Sequence, residues 1–180
     1  MSSIFSHSEL TVIRNFLEDP TLEVFLEKKW SSQNSGYREL IHADIHTKEN
    51  IKDFSISHTT ELGGYITSQL SANKNIGFDI EVSDRVRQDI AQRICLTEEE
   101  FKAAPSSASL WAAKEASFKA LKGFNQPQVV SEIQIGSWQI HGSQYETCRI
   151  QNLQNFKVSV AKGIVFTKSG FVFCFFSARP

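Results

Sequence analysis

The chain has 180 residues, of which 41% are hydrophobic and 22% charged, the composition of an ordinary globular domain. Lys+Arg 19 against Asp+Glu 20 leaves a formal net charge of -1, which excludes a bulk electrostatic grip on nucleic acid or an anionic membrane surface. A chain of this size buries roughly 70% of the surface it exposes when unfolded and needs no covalent staples. Its three cysteines, Cys95, Cys148 and Cys174, show no C-x-x-C spacing and read as buried free thiols. The N-terminus lacks a basic segment followed by an apolar one, and the most apolar stretch, residues 170–178, is too short to span a bilayer. A cytoplasmic protein is the expectation.

In chain order, Ser8 caps a predicted helix from Glu9 that aligns Leu10, Ile13, Phe16 and Leu17. Asp19-Pro20 reads as an N-cap with proline at the first helical position, predicting a second helix as far as Trp30. Turn formers fill residues 31–36, and residues 37–45 predict a third helix with Leu40, Ile41 and Ile45 inward. Phe54-Ser55-Ile56-Ser57 then alternates as a half-buried strand does. Gly63-Gly64 reads as a turn, and residues 65–70 and 75–81 as two further strands, so the three predict a meander. The helical period returns at Val86 with Ile90 and Ile94 inward. Thr97 caps a short turn with Glu100 at its capping-box position, and residues 109–122 form the strongest helix. Strands follow over 129–140, 147–153, 157–166 and 170–178, with a hairpin turn at Lys168-Ser169-Gly170 and a bulge marked by Gly163. Trp30 and Trp138 read as core, and Trp111 as a packing anchor. The pattern is α+β, without repeats or a domain linker.

Residues two apart on a strand share a face. Asp79 and Glu81 therefore sit side by side, opposite Ile76, Phe78 and Ile80. Two adjacent carboxylates repel unless a cation, a proton or a basic group lies between them; the plain reading is an acidic solvent face. On the helix over 109–122, Trp111, Lys114, Glu115, Phe118, Lys119 and Lys122 recur along one face. That stripe has a surface explanation, a Glu115–Lys119 pair worth about 0.3–0.5 kcal/mol. It also has a functional one, in which Glu115 joins Asp79 and Glu81 around a hard cation while Lys114 and Lys119 face phosphate oxygens. Mg²⁺ suits the second, because it takes a few carboxylates and keeps positions for water and substrate phosphates. The residues alone leave both readings open.

The segments NIGFDIEV, LTEEEF and LWAAKEASFKALKG resemble, in order, the signature of the 4′-phosphopantetheinyl transferases. That signature is a G-[IVF]-D-x-E strand, an intervening glutamate, and W-x-x-K-E-[AS]-x-x-K-A on a helix. FSISHTT, residues 54–60, is similar to the F-x-[IL]-S-H-[ST] strand of the larger, surfactin-type branch, which the small holo-acyl-carrier-protein synthases lack. The likeness covers residues 54–123 well, the strands after Gly123 loosely and the first fifty residues barely.

The resemblance implies two abridged, pseudo-symmetric lobes, residues 1–74 and 75–180, each an antiparallel sheet with a long helix, in one monomeric transferase domain. It implies Asp79, Glu81 and Glu115 as Mg²⁺ ligands, Ser57 and His58 on a coenzyme A phosphate, and Lys119 with Lys114 at the diphosphate. Glu100 corresponds to the glutamate that deprotonates the acceptor serine, with Glu98 and Glu99 beside it. The implied reaction moves the 4′-phosphopantetheine arm of coenzyme A to a serine of an apo acyl, polyketide or peptidyl carrier protein, releasing adenosine 3′,5′-bisphosphate. Two departures stand out: no G-K-P element precedes the S-H strand, and the N-terminal phosphate-binding residues are undefined, with Lys28, Lys29 and Arg38 as candidates. Arg85, Arg87, Arg93 and Lys102 are candidates to meet an acidic carrier helix. The alternatives are a non-catalytic coenzyme A or carrier-protein binder and a metal-dependent hydrolase of the coenzyme A diphosphate.

Overall fold

The computed structural model describes residues 4–70 and 73–180. The first helix, α1 (His7–Leu17), is capped by Ser6 rather than Ser8: the Ser6 hydroxyl accepts the Glu9 amide while the Glu9 carboxylate accepts the Ser6 amide. Glu18 ends it in the left-handed region, and the Lys74 ammonium donates to the Leu17 and Glu18 carbonyls at 2.6 and 3.1 Å, a cation at a helix C-terminus. Asp19-Pro20 opens no helix. The wholly buried Asp19 side chain bonds Thr21 and Ser68 and pairs with Lys74 at 3.5 Å, turning the chain into strand β1 (Glu23–Glu27). The alternation of Leu22, Val24 and Leu26 outweighs the capping signal once a neighbouring strand is available.

Helix α2 (Tyr37–His46) buries Ile41 and Ile45 but leaves Leu40 largely exposed. Strands β2 (Asp53–His58) and β3 (Gly63–Ser68) follow as an antiparallel pair, and β3 also pairs with β1, giving the order β1-β3-β2. Gly63 and Gly64 lie inside β3, not in a turn. A Cβ on Gly63 would stand 1.9 Å from the Trp30 carbonyl oxygen, so glycine serves close approach there.

The expected three-strand meander is split. Strand β4 (Asn75–Val82) belongs to a second antiparallel sheet with β5 (Ile135–His141), β6 (Tyr145–Ile150), β7 (Val160–Lys168) and β8 (Phe171–Arg179), in the order β4-β8-β7-β6-β5. The β6–β7 and β7–β8 ladders run without a shift at Gly163; the irregularity falls between Gly136 and Gln139, where Ser137 has φ 51°. Ser169 and Gly170 close the β7–β8 hairpin, both at positive φ. Between β4 and β5 lie α3 (Gln88–Arg93), α4 (Glu98–Ala103) and α5 (Ser107–Ala120). Ala91, not Ile90, is the buried residue of α3.

The five-stranded sheet is covered on both faces. Ile76, Phe78 and Ile80 of β4 join Phe166, Phe173, Phe175 and α1 in one core, while α5 packs on the other with Cys148, Cys174 and Phe176. The face of α5 against the sheet is built from Ala112, Ala113, Ala116 and Ala120, all fully buried, so the helix lies close. At the closest point a Cβ on Gly77 would meet the Ala116 carbonyl oxygen at 1.9 Å. A third core of Trp30, Ile41, Ile45 and Tyr65 sits between α2 and the small sheet. The two sheets are unequal, three strands and five.

They meet where β2 runs alongside β4. The amides of Ile76, Phe78 and Ile80 donate to the side chains of Asp53, Ser55 and Ser57 at 2.7, 2.9 and 3.0 Å, each pair 23 residues apart. These side chains stand in for a backbone ladder.

Ser55→Ala leaves the buried Phe78 amide unpaired and is expected to cost about 1–3 kcal/mol. Gly77→Ala drives a methyl into backbone and is expected to cost about as much or more. Chemical denaturation checks both; unchanged midpoints would show that neither seam nor close approach supports the fold. A second prediction concerns acid. Hydrogen bonds from Lys162 and Arg179 hold the Glu18 carboxyl below its ordinary value of 4.5, outweighing slight burial. A carboxyl lowered by folding adds stability above its unfolded pKa and loses it as pH falls through the folded one. The thermal midpoint of Glu18→Gln should therefore fall less steeply below about pH 4.5 than that of the parent.

Candidate active site

Alternation along β4 puts Gly77, Asp79 and Glu81 on the face that α5 covers. Ser106 caps that helix by accepting the Ser109 amide at 2.9 Å. Because Gly77 lets Ala116 and Ala120 sit down on the strand, Lys119 arrives directly at Asp79. Its ammonium donates to Asp79 Oδ1 and to the Phe78 carbonyl oxygen, each at 2.9 Å. Ser57, from β2, donates its hydroxyl proton to the same Asp79 oxygen at 2.8 Å while accepting the Ile80 amide. Ser57 and Asp79 are both buried.

These residues open into a cleft of about 530 Å³. On one side stand Asp79, Glu81, Trp111, Glu115 and Lys119; on the other are Ser57 and His58 of β2 and Tyr37, Arg38 and His42 of α2. The Tyr37 and His58 rings stack with centroids 4.4 Å apart, the Tyr37 hydroxyl bonds His58 Nε2, and Arg38 Nε donates to the Tyr37 oxygen at 3.0 Å. Burial, and then the charges of Arg38 and Lys119, lower the His58 pKa. A larger groove of about 700 Å³ follows β1 and is lined by Lys28, but by none of Ser57, His58, Asp79, Glu81, Glu100, Lys114, Glu115 and Lys119.

Burial, and then the Asp79 charge, push the carboxyls of Glu81 and Glu115 above their ordinary values. Like charge is concentrated here with only partial compensation. Among the described residues no three His, Cys, Asp or Glu side chains converge closely enough to hold a metal ion. Glu81 folds back to accept the Val82 amide at 2.8 Å, and Asp79 Oδ1 is shared by Ser57 and Lys119. The donors nonetheless suit a hard divalent cation, being carboxylate oxygens on neighbouring positions of one strand and one helix beside an open cleft. Asp79, Glu81 and Glu115 are the carboxylates that line the cleft, with Glu81 turned to its own backbone.

A family model of the 4′-phosphopantetheinyl transferase superfamily matches residues 75–174, more than half of the chain. The chain belongs to that superfamily. A comparison with curated proteins found no match. The matched span runs from β4 into β8, so this phosphopantetheinyl transferase superfamily member carries Asp79, Glu81, Glu115 and Lys119 inside the family region. Ser57, His58 and the α2 wall lie outside it. No described helix is long and apolar enough to cross a membrane.

Two residues expected at the site are elsewhere. Lys114 and Glu100 have wholly buried side chains and form an ion pair at 2.7 Å away from the cleft. The Glu100 carboxylate also accepts the Leu96 and Ile135 amides at 2.8 and 2.6 Å, and Lys114 donates to the Ile133 carbonyl oxygen. Thr97 does accept the Glu100 amide, but Glu100 caps Leu96 rather than returning the box bond to Thr97. Helix geometry explains the separation: five positions carry Lys114 and Lys119 about 140° apart around α5. Lys122 lies over Phe54, outside the cleft lining. Conversely, Tyr37, Arg38 and His42 line the cleft although only Arg38 was a candidate. Their i, i+1, i+5 spacing on a short amphipathic helix carries no motif.

Removing one partner of a buried ion pair strands the other charge. Glu100→Gln and Lys114→Met should each lower stability by about 3–5 kcal/mol, and the double variant by less than the two effects summed. A double-mutant cycle in denaturant measures this; additive effects would dissolve the pairing.

Proposed function

We propose that this chain transfers the 4′-phosphopantetheine arm of coenzyme A to a serine of an apo carrier protein, with Mg²⁺, releasing adenosine 3′,5′-bisphosphate. One observation carries the reading: three carboxylates, Asp79, Glu81 and Glu115, and three nitrogen bases or cations, Lys119, His58 and Arg38, face one open cleft. That pairing suits a diphosphate neutralised from both sides. Arg38 offers a planar fork that can take a phosphate through two bonds, and Lys119 offers a compact charge. His58, stacked on Tyr37, adds a ring nitrogen to the same wall. Of the three N-terminal basic candidates, Arg38 lines this cleft, whereas Lys28 lies beside the β1 groove and Lys29 over Trp30.

Held by the carboxylates, Mg²⁺ would offset the charge of the diphosphate and of the leaving bisphosphate. The chain's own groups bind and orient. Asp79 is fixed by Ser57 before any substrate arrives, Trp111 walls the cleft, and Arg38 and His58 line its other side, the kind of preplacement that electrostatic stabilisation uses. Positioning and charge stabilisation carry much of phosphoryl-group transfer, and no covalent enzyme intermediate is needed. A second reading, a member that binds coenzyme A or a carrier without turnover, is favoured by one observation. Glu100, cast by the resemblance as the base, is sealed in a buried ion pair.

Incubation of an apo carrier with coenzyme A and Mg²⁺ is expected to add one phosphopantetheine, read by mass spectrometry. No mass gain on acyl, polyketide or peptidyl carriers, with coenzyme A binding seen by calorimetry, selects the second reading. Asp79→Ala and Glu115→Ala should abolish transfer in folded protein. Arg38→Ala should raise the KM for coenzyme A about tenfold or more, the loss of a charge-assisted hydrogen bond.

A further inference from the structure

Lys119 is tied into the site more closely than a lysine that only waits for phosphate. Its ammonium lies 2.9 Å from Asp79 Oδ1 and 2.9 Å from the Phe78 carbonyl oxygen, with its side chain 27% exposed and that of Asp79 8%. Ser57 holds the same carboxylate oxygen from the opposite element. Glu81 and Glu115 are half-buried beside this pair, and each interacts with the charge of Asp79.

Three carboxylates partly withdrawn from water need a positive charge among them. The chain supplies one from its own helix, one turn beyond Glu115. We propose that Lys119 is the internal counter-cation of the Asp79–Glu81–Glu115 cluster, and that its ammonium and a divalent ion compete for these carboxylates. The proposal rests on the metal reading given above. The Phe78 carbonyl and Asp79 Oδ1 are the resting place of the ammonium; its flexible stem lets it move into the cleft that it already lines. One side chain thus links two affinities. An ion on the carboxylates releases Lys119 for an anion, and an anion drawing Lys119 away improves the site for the ion, as reciprocal coupling demands.

The test uses the full chain and Mn²⁺ alone, without coenzyme A. Lys119→Gln keeps hydrogen-bond donors for Phe78 and Asp79 but removes the charge, whereas Lys119→Arg keeps the charge. Free Mn²⁺ is followed by electron paramagnetic resonance, and thermal midpoints are taken with and without the ion. Lys119→Gln is expected to bind Mn²⁺ about tenfold tighter than the parent, since a repelling charge is gone. It should melt lower without metal and recover at saturating Mn²⁺, while Lys119→Arg follows the parent. Unchanged or weaker Mn²⁺ binding by Lys119→Gln overturns the proposal. If that variant is unfolded without metal, folding restored by Mn²⁺ supports the proposal, and failure to fold at saturating Mn²⁺ overturns it. Asp79→Asn and Glu115→Gln separate the two ideas. Mn²⁺ binding that survives both lies elsewhere, and this overturns the metal reading and the proposal with it, as does a parent that takes up no Mn²⁺.

Discussion

The amides of β4 that face away from β8 find their acceptors in the side chains of Asp53, Ser55 and Ser57, three alternate residues of β2. Buried amides must be paired, and here the pairing is done by short polar side chains at a constant offset, so the small sheet can sit against the large one in one register only. A slip by one residue would present Phe54, Ile56 and His58 instead, and break all three bonds at once. The last rung does double duty. Ser57 accepts the Ile80 amide and donates its hydroxyl hydrogen bond to Asp79, so the contact that joins the sheets also sets the angle of the central carboxylate. The cleft is the open end of this seam.

Helix α5 completes the arrangement by being thin on one side. Its alanine face and Gly77 bring backbone nearly to backbone, and that closeness decides where the charged residues land. Lys114 is turned into the interior, where the Glu100 carboxylate and the Ile133 carbonyl compensate it, while the Leu96 and Ile135 amides donate to Glu100. Such a pair stabilises little over an apolar pair of the same shape, but each half depends strongly on the other. It ties α4 and β5 to α5. Lys119, about 140° further round, meets Asp79 at the cleft edge, where its side chain stays partly exposed. Two lysines of one helix thus divide between a buried ion pair and the cleft.

Much of this was legible in the chain. The period-two run over β4 told which side of the strand carries Asp79 and Glu81, and the helical stripe named Glu115, Lys119 and Trp111 as neighbours. The motif order pointed to the superfamily. Errors arose where a local signal met a stronger tertiary one. Asp19-Pro20 has the chemistry of an N-cap, but Asp19 spends its carboxylate on Thr21, Ser68 and Lys74, and β1 forms because β3 offers it an edge. Gly63 looked like a turn because close approach to Trp30 leaves no mark in a sequence. The third strand of the meander passed to the other sheet because β8, 95 residues on from β4 at the paired Asp79–Cys174 position, supplies the longer apolar ladder.

The amino-acid sequence by itself determined the α+β class, the faces of β4 and α5, and the set of carboxylates and lysines from which a phosphate-handling site can be made. These are properties of residue type and of period two or 3.6, which act over a few positions. Only the tertiary structure decided which of those groups share water. It sent Glu100 and Lys114 inward, kept Lys119 on Asp79, and brought Tyr37, Arg38 and His42 from a distant helix to close the cleft. The reason is that exposure depends on how closely two elements approach, and that distance is set by contacts far apart in the chain.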